Sequence, residues 1–330
     1  MLRELLASNA NLVVPGTYDA LSALVAKQAG FKAVYMSGFG VAGSLLGKPD
    51  IGLVTAHQMI ARASQIVAAA GATPVIADGD NGYGDEQAVA HLVNAYEQAG
   101  VQCIQLEDQV SPKRCGHMDN KEVVDINEAV SKISTAVRSR DSDRFLIMAR
   151  TDSRATHDLD EALRRGDAFL NAGADILFIE APRSVTEMEV IKQVFPDTVL
   201  VANMVEDGRT PELTTTQLAE LGYQLILRPV SALLSVAKTL QLSYESLTEP
   251  DPSATHRQGS RSRLTMSWLG YRTPSDNGLW LELILSLTKR FQPSPQLLLL
   301  GVLAPPEFVP AHRHTPAAMP CSTPHAGCSP

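Results

Sequence analysis

Two short stretches carry residue types that could do chemistry. In "ADGDNGYG", Asp78 and Asp80 stand two apart at the end of an apolar run. In "LEDQVSPKRCGHM", Glu107 closes the next such run and a lone cysteine follows on a polar loop. Residues two apart on a strand share a face, so the aspartates are expected side by side, where two carboxylates repel unless a cation or a proton lies between them. With Glu107 they form an oxygen-rich set suited to Mg2+, with Mn2+ as the alternative. An aspartate-rich turn is the plainer reading, since Asp, Asn and Gly all favour turns. Cys115 is set among Lys113, Arg114 and His117 rather than among apolar neighbours. Adjacent positive charge lowers a thiol's pKa and makes the thiolate accessible.

Further polar residues sit at or just past the ends of apolar runs: Asp19, Ser37, Gly38, Asp108, Arg150, Asp152, Glu180, Asn203 and Ser231. Each has a plain alternative. Arg150 and Glu180 would make an ion pair without catalytic duty, Asn203 a loop cap and His117 a solvated loop residue. Cys103, inside "VQCIQL", reads as core.

The elements that must position these groups repeat one unit. Eight apolar, β-branched runs begin at about residues 11, 33, 74, 103, 145, 176, 199 and 224. Their near-continuous apolar character suits parallel strands covered by helices. Between them lie helical periodicities, with Leu21, Leu24 and Val25, and again Val89, Leu92 and Val93, spaced to form apolar faces. Several of these segments close on a glycine, Gly30 and Gly100 among them, as a left-handed helix end requires. Eight such units predict an α/β fold, a (β/α)8 TIM barrel over 1–245, with a doubly wound sheet as the competitor. In a barrel the site lies at the carboxyl ends of the strands, where the polar residues fall. "SGFGVAG" lacks the spacing of a phosphate loop, so nucleotide binding is not supported.

The net charge of −8 gives no general attraction to nucleic acid or anionic membrane. No apolar run approaches the roughly 20 residues of a membrane span, and the first residues show no signal-peptide pattern. Four cysteines in 330 residues make no disulfide framework. A soluble protein of a reducing compartment is expected: cytoplasmic, with the mitochondrion or another such compartment left open.

"YMSGFG", "ADGDNGYG", "LEDQ", "PKRCGHM" and "MARTD", in this order within about residues 5–245, closely resemble the isocitrate lyase and phosphoenolpyruvate mutase superfamily. The pattern is most similar to its methylisocitrate lyase and 2,3-dimethylmalate lyase branch. The resemblance implies a Mg2+-dependent lyase that breaks a C–C bond in a 2-hydroxy acid bearing a carboxylate on C3. It implies Asp50, Asp78, Asp80 and Glu107 as metal ligands, some through water. Ser37, Gly38 and the backbone of Phe39 would hold the carboxylate of the 2-oxo product, with Tyr35 against the substrate and Arg150 on its 2-hydroxyl and carboxylate. Glu180, Asn203 and Ser231 would shape the other half of the site. The segment with Lys113, Cys115, Gly116 and His117 would be a gate, with Cys115 as the general acid that protonates the departing carbon and its cationic neighbours drawing in a dianionic substrate. The mutase branch needs no such donor, so the cysteine argues against mutase chemistry. Oxaloacetate hydrolase or decarboxylase chemistry, a phosphonopyruvate or carboxyphosphonoenolpyruvate mutase, and a catalytically silent barrel remain the alternatives.

The chain departs from the pattern at three places. Phe39, where the methylisocitrate lyases tend to have glycine, narrows the pocket, and with "ADGD" it draws the reading towards the dimethylmalate type or towards plant and fungal relatives. Arg228, where relatives often have an aromatic residue, would either meet a carboxylate or face outward. From residue 246 a Pro-rich extension begins. Residues 251–330 carry 7 Lys+Arg against 4 Asp+Glu, 11 of the 20 prolines and both tryptophans. One candidate helix, 278–291, lies within it, and the final 40 residues read as disordered. A genuine extension and a shifted reading frame or retained intron both fit. The superfamily exchanges helices between subunits, so a homo-oligomer, tetramer or dimer, is expected unless this tail prevents the exchange. A small di- or tricarboxylate is the expected partner.

Overall fold

A computed structural model of the protein describes residues 2–8, 11–113 and 121–248. The eight expected strands are all present: β1 (Leu12–Thr17), β2 (Val34–Met36), β3 (Val75–Asp78), β4 (Cys103–Glu107), β5 (Leu146–Thr151), β6 (Ile176–Ile179), β7 (Val199–Asn203) and β8 (Leu225–Arg228). They pair in parallel in chain order, and β8 returns to β1 with Leu12 opposite Leu225 and Pro15 opposite Arg228, closing a TIM barrel. The candidate helix 278–291 and the rest of the extension lie outside the described residues. No helix among the described residues is long and apolar enough to cross a membrane.

Strand alternation divides the core in two. Leu12, Val14, Ile76, Cys103, Met148, Ile176, Val201 and Leu225 point inward and fill the barrel, while Ile104, Ile147, Leu177, Leu200 and Ile226 point outward under the helices. Leu2 and Leu6, from the helix Leu2–Ala7, join the interior cluster. Cys103 is buried within it, as its apolar run predicts.

The helices Ala20–Gln28 and Glu86–Gln98 form where the periodicity places them, but only the second buries the expected face. Val89, Leu92 and Val93 are buried. In the first, Ala23 and Ala26 pack inward, and Leu21 and Val25 are exposed. The helix Ala56–Ala70 packs beside it. Asp19 caps this first helix, accepting from the Ser22 N–H at 2.7 Å, so its place at a strand end is structural.

Barrel closure leaves one tight approach. A Cβ added to Gly16 would lie 2.0 Å from the carbonyl oxygen of Pro229. Gly30, by contrast, has φ +87 and open space around it. Gly16→Ala is therefore expected to cost about 3 kcal/mol or more and to lower Tm by roughly 6–12 °C. Gly30→Ala should cost only about 1 kcal/mol, from the left-handed backbone. Thermal melts of both variants check this ordering.

Candidate active site

Each strand that reaches the site continues the inward parity of the barrel core. Above Ile76 stands Asp78, above Cys103 and Gln105 stands Glu107, above Met148 stands Arg150, above Phe178 stands Glu180, and above Val201 stands Asn203. Together with Tyr35, Ser37, Phe39, Asp50 and Lys113 they line one pocket of about 470 Å3 at the carboxyl rim. Val205, Leu227, Pro229 and Val230 give it an apolar wall on the β7–β8 side. Ser37 caps the helix Gly38–Leu46 by accepting from the Gly40 N–H at 3.2 Å, which turns the positive end of that helix towards the pocket.

Charge in the site is unbalanced. Lys113 Nζ lies 2.7 Å from both Asp50 Oδ2 and Asp80 Oδ1. Arg150 meets Asp152 at 2.8 Å, Glu180 at 3.0 Å and Glu107 at 3.4 Å, and its guanidinium lies 5.0 Å above the Phe178 ring. Lys121 adds a bond of 2.6 Å to Asp152. Among the described residues, Asp50, Asp78, Asp80, Glu107, Asp152 and Glu180 thus share Lys113, Lys121 and Arg150, two carboxylates for each cation, and all are buried. Burial, and then the neighbouring Asp80, pushes the Asp78 carboxyl up to about 6. Burial also raises Glu107 well above the carboxylate range, against the pull of Arg150, and raises Asp50 against the pull of Lys113. Lys113 is disfavoured as a cation by burial, yet Asp80 and Asp50 hold its pKa well above the ordinary lysine value.

Asp78 and Asp80 do meet, though not by strand alternation. β3 ends at Asp78, and Asp80 lies in a turn with φ +46, donating its N–H to Asp78 Oδ1 at 3.1 Å. Ala181, just past Glu180, is likewise left-handed at φ +56. Such strain concentrates where side chains must be aimed. The turn reading of "ADGD" therefore holds, and it is the turn that brings the two aspartates together. The Gly38 N–H donates to Asp78 Oδ2 at 3.2 Å, and a Cβ there would press on that oxygen at 2.7 Å.

The donor set was tested against a divalent cation. Its oxygens are hard, negative charge is in excess, and Glu107 Oε1 is buried with no hydrogen-bond partner among the described residues. Among the described residues no three carboxylate, histidine or cysteine side chains converge as direct ligands. This suits Mg2+, which sheds water reluctantly and is held by one or two carboxylates with waters in its other positions. The residues fit a hydrated ion and not a cage.

Of the residues singled out in the sequence, Tyr35, Ser37, Phe39, Asp50, Asp78, Glu107, Lys113, Arg150, Glu180 and Asn203 come together around this pocket. Gly38 and Asp80 sit behind it, bonded to Asp78 and Lys113. Arg150 and Glu180 form the ion pair of the plain reading while also facing the pocket, and Asn203 Nδ2 donates to Glu180 at 3.2 Å. Ser231 is not among the lining residues: β8 ends at Arg228, Val230 takes the lining place, and Ser231 begins the helix Ser231–Thr248, its hydroxyl donating to Glu206. Arg228 has the outward parity of Ile226 and does not reach the pocket. Cys115, Gly116 and His117 lie outside the described residues. Sequence reasoning missed Gln105, Lys121 and Phe178. Only Gln105 left a signal, as a polar residue inside an apolar run.

The profile of the phosphoenolpyruvate phosphomutase family matches residues 2–248. Among curated proteins, the 2,3-dimethylmalate lyase of Eubacterium barkeri is 48% identical over 253 residues, 77% of this chain and 87% of the relative. Among solved structures, a 2,3-dimethylmalate lyase of the PEP mutase/isocitrate lyase superfamily superposes with a TM-score of 0.76 at 35% identity, covering 87% of this chain and 93% of that one. A phosphonopyruvate hydrolase in complex with oxalate and Mg2+ superposes with a TM-score of 0.67 at 27% identity, covering 81% and 96%.

The ion pairs around Arg150 predict an acid limb of stability. Burial opposes the Asp152 charge, but Arg150 and Lys121 more than offset it and hold the carboxyl at about 2. A depressed folded-state pKa stabilises fully above the ordinary aspartate range and is lost as pH falls from about 4 towards 2. Asp152→Asn, which removes the carboxylate that two buried cations share, is expected to cost about 3–5 kcal/mol at pH 7. Its deficit should shrink as pH falls through that window. Urea titrations of both proteins at pH 7, 4 and 3 measure it.

Proposed function

The chain belongs to the phosphoenolpyruvate phosphomutase family and is a carbon–carbon lyase, and on that premise we propose that it cleaves a 2-hydroxy diacid of the 2,3-dimethylmalate or 2-methylisocitrate type between C2 and C3 with Mg2+ as cofactor. The observation that supports this most strongly is one buried pocket holding both a carboxylate excess and Arg150. Asp50, Asp78, Asp80 and Glu107 are the residues that would hold the ion, some through water. When bound, Mg2+ supplies positive charge at the oxygens of the 2-hydroxy acid.

The chain's own residues divide the remaining work. Ser37, Gly38 and Phe39, at a helix N-terminus, receive the carboxylate that stays with the 2-oxo product. Arg150, fixed by Asp152 and stacked on Phe178, faces the 2-hydroxyl and that carboxylate. The C3 end lies towards Asn203 and Glu180 and the apolar wall of Val205, Leu227 and Val230, which suits a methyl substituent. Phe39 narrows the pocket in the same sense and favours the dimethylmalate type. As C2–C3 breaks, the hydroxyl passes its proton to a carboxylate of the rim cluster and becomes the carbonyl of the 2-oxo acid, and the bond's electron pair remains on C3. Cys115, starting as a thiol, delivers a proton there and completes the second carboxylic acid. Lys113 and His117 favour the thiolate left behind.

Assays of 2-oxo acid release from 2,3-dimethylmalate, 2-methylisocitrate, isocitrate and oxaloacetate test the reading. Pyruvate, with propionate as co-product, is expected from 2,3-dimethylmalate, and Cys115→Ser should lower kcat by roughly 10²–10⁴-fold. Turnover of oxaloacetate alone, indifferent to Cys115, would replace the proposal with a hydrolase or decarboxylase.

A further inference from the structure

Gln105 is an amide in the interior of a barrel otherwise filled by apolar side chains, and it is fully buried one layer below Glu107. Both ends of the amide are engaged. Its Nε2 donates to Asp78 Oδ1 at 3.1 Å, and its Oε1 accepts from the Tyr35 hydroxyl at 2.9 Å. The orientation follows from chemistry, because an ionised carboxylate can only accept and therefore takes the NH2 end. The carbonyl end then faces Tyr35, whose single proton must be donated to it. β3 and β4 are in register at this point, with Asp78 opposite Gln105, and the Gly79 N–H donates to the Gln105 carbonyl oxygen at 2.8 Å. The backbone that carries the amide is therefore held in the sheet beside the site.

We propose that Gln105 is a positioning residue for the Asp78 carboxylate and the Tyr35 hydroxyl, fixing the first as a metal ligand and turning the second into a hydrogen-bond acceptor towards the pocket. The inference rests on the Mg2+ reading above. Asp78 Oδ1 also accepts from the Asp80 N–H, and Asp78 Oδ2 accepts from the Gly38 N–H, so the carboxylate is gripped from three directions. Among the described residues, only Gln105 hydrogen-bonds to it through a side chain, which makes that contact removable by substitution. Tyr35, its proton committed, presents lone pairs alone to whatever occupies the pocket. It thus has no proton to give to a substrate carboxylate and does not compete with the thiol as an acid.

Groups that orient a metal ligand in this way typically carry 10–100-fold in metal affinity. Mn2+ is the probe, titrated by calorimetry into the full-length protein without substrate. Gln105→Met, similar in volume but without the amide, should bind Mn2+ roughly 10–100-fold more weakly than the wild type. Tyr35→Phe, which disturbs packing less, frees one end of the amide and should weaken binding several-fold. Cys103→Ala, in the same strand and the layer below, should lower Tm while leaving Mn2+ affinity unchanged. Wild-type affinity in both Gln105→Met and Tyr35→Phe overturns the proposal, as does equal weakening in Cys103→Ala, which would assign the effect to a loosened barrel. Absence of Mn2+ binding in the wild type would overturn the cofactor reading itself and this inference with it.

Discussion

Among the described residues, six carboxylates buried against three cations is the condition on which the rest of this structure depends. Charges held away from water are tolerated only when paired, and here the pairing is incomplete by design of the rim. Every strand ends at the same face of the barrel, so every inward residue at a strand's last position joins one cluster. Lys113 and Arg150 gather Asp50, Asp80, Asp152, Glu180 and, at the longer 3.4 Å, Glu107, while burial opposes the ionisation of Asp78 and Glu107 most strongly. A cation is the addition that relieves both at once. The left-handed backbone at Asp80 and Ala181 and the absence of a Cβ at Gly38 are the local costs of bringing these groups so close.

The layers below the rim hold the charged layer in place. Asp108 accepts from the Thr151 hydroxyl, from the Asp152 N–H and from Arg165, so the end of β5 is fixed before Asp152 aligns Arg150. Tyr96 donates to the Asp78 carbonyl at 2.7 Å from the helix side of the sheet. Gln105 does the same for the Asp78 side chain from inside. These polar contacts are each satisfied and buried, which makes the network rigid rather than merely costly. Rigidity there is what allows a few charged groups to act on developing charge without reorganising.

Much of this was legible in the sequence because parallel-barrel strands announce themselves. Uninterrupted β-branched runs with a polar residue at each carboxyl end gave the eight strands and six of the lining residues, Ser37, Asp78, Glu107, Arg150, Glu180 and Asn203, whereas Tyr35, Phe39 and Asp50 came from the family resemblance and Lys113 from the basic loop around Cys115. What the rule lacked was parity. Ser231 and Asp19 lie close to strand ends, yet the pocket wall passes to Val230 in one case and the residue becomes a helix cap in the other. Ion pairs such as Lys121–Asp152, 31 residues apart, depend on how loops fold back and have no local signature. Gln105 was visible but uninterpretable alone, since its meaning comes from Asp78 and Tyr35 on two other strands. The exposed Leu21 and Val25 show the converse failure, an apolar stripe turned outward while Ala23 and Ala26 pack inward.

The account stands or falls on the carboxylate cluster being a working metal site. The most direct test is to strip the protein with EDTA, restore Mg2+ stepwise, and follow 2-oxo acid release from 2,3-dimethylmalate at each addition. Activity is predicted to fall to background on chelation and to return in a saturable manner as Mg2+ is restored. Release of the 2-oxo acid at an undiminished rate after chelation would contradict the central claim.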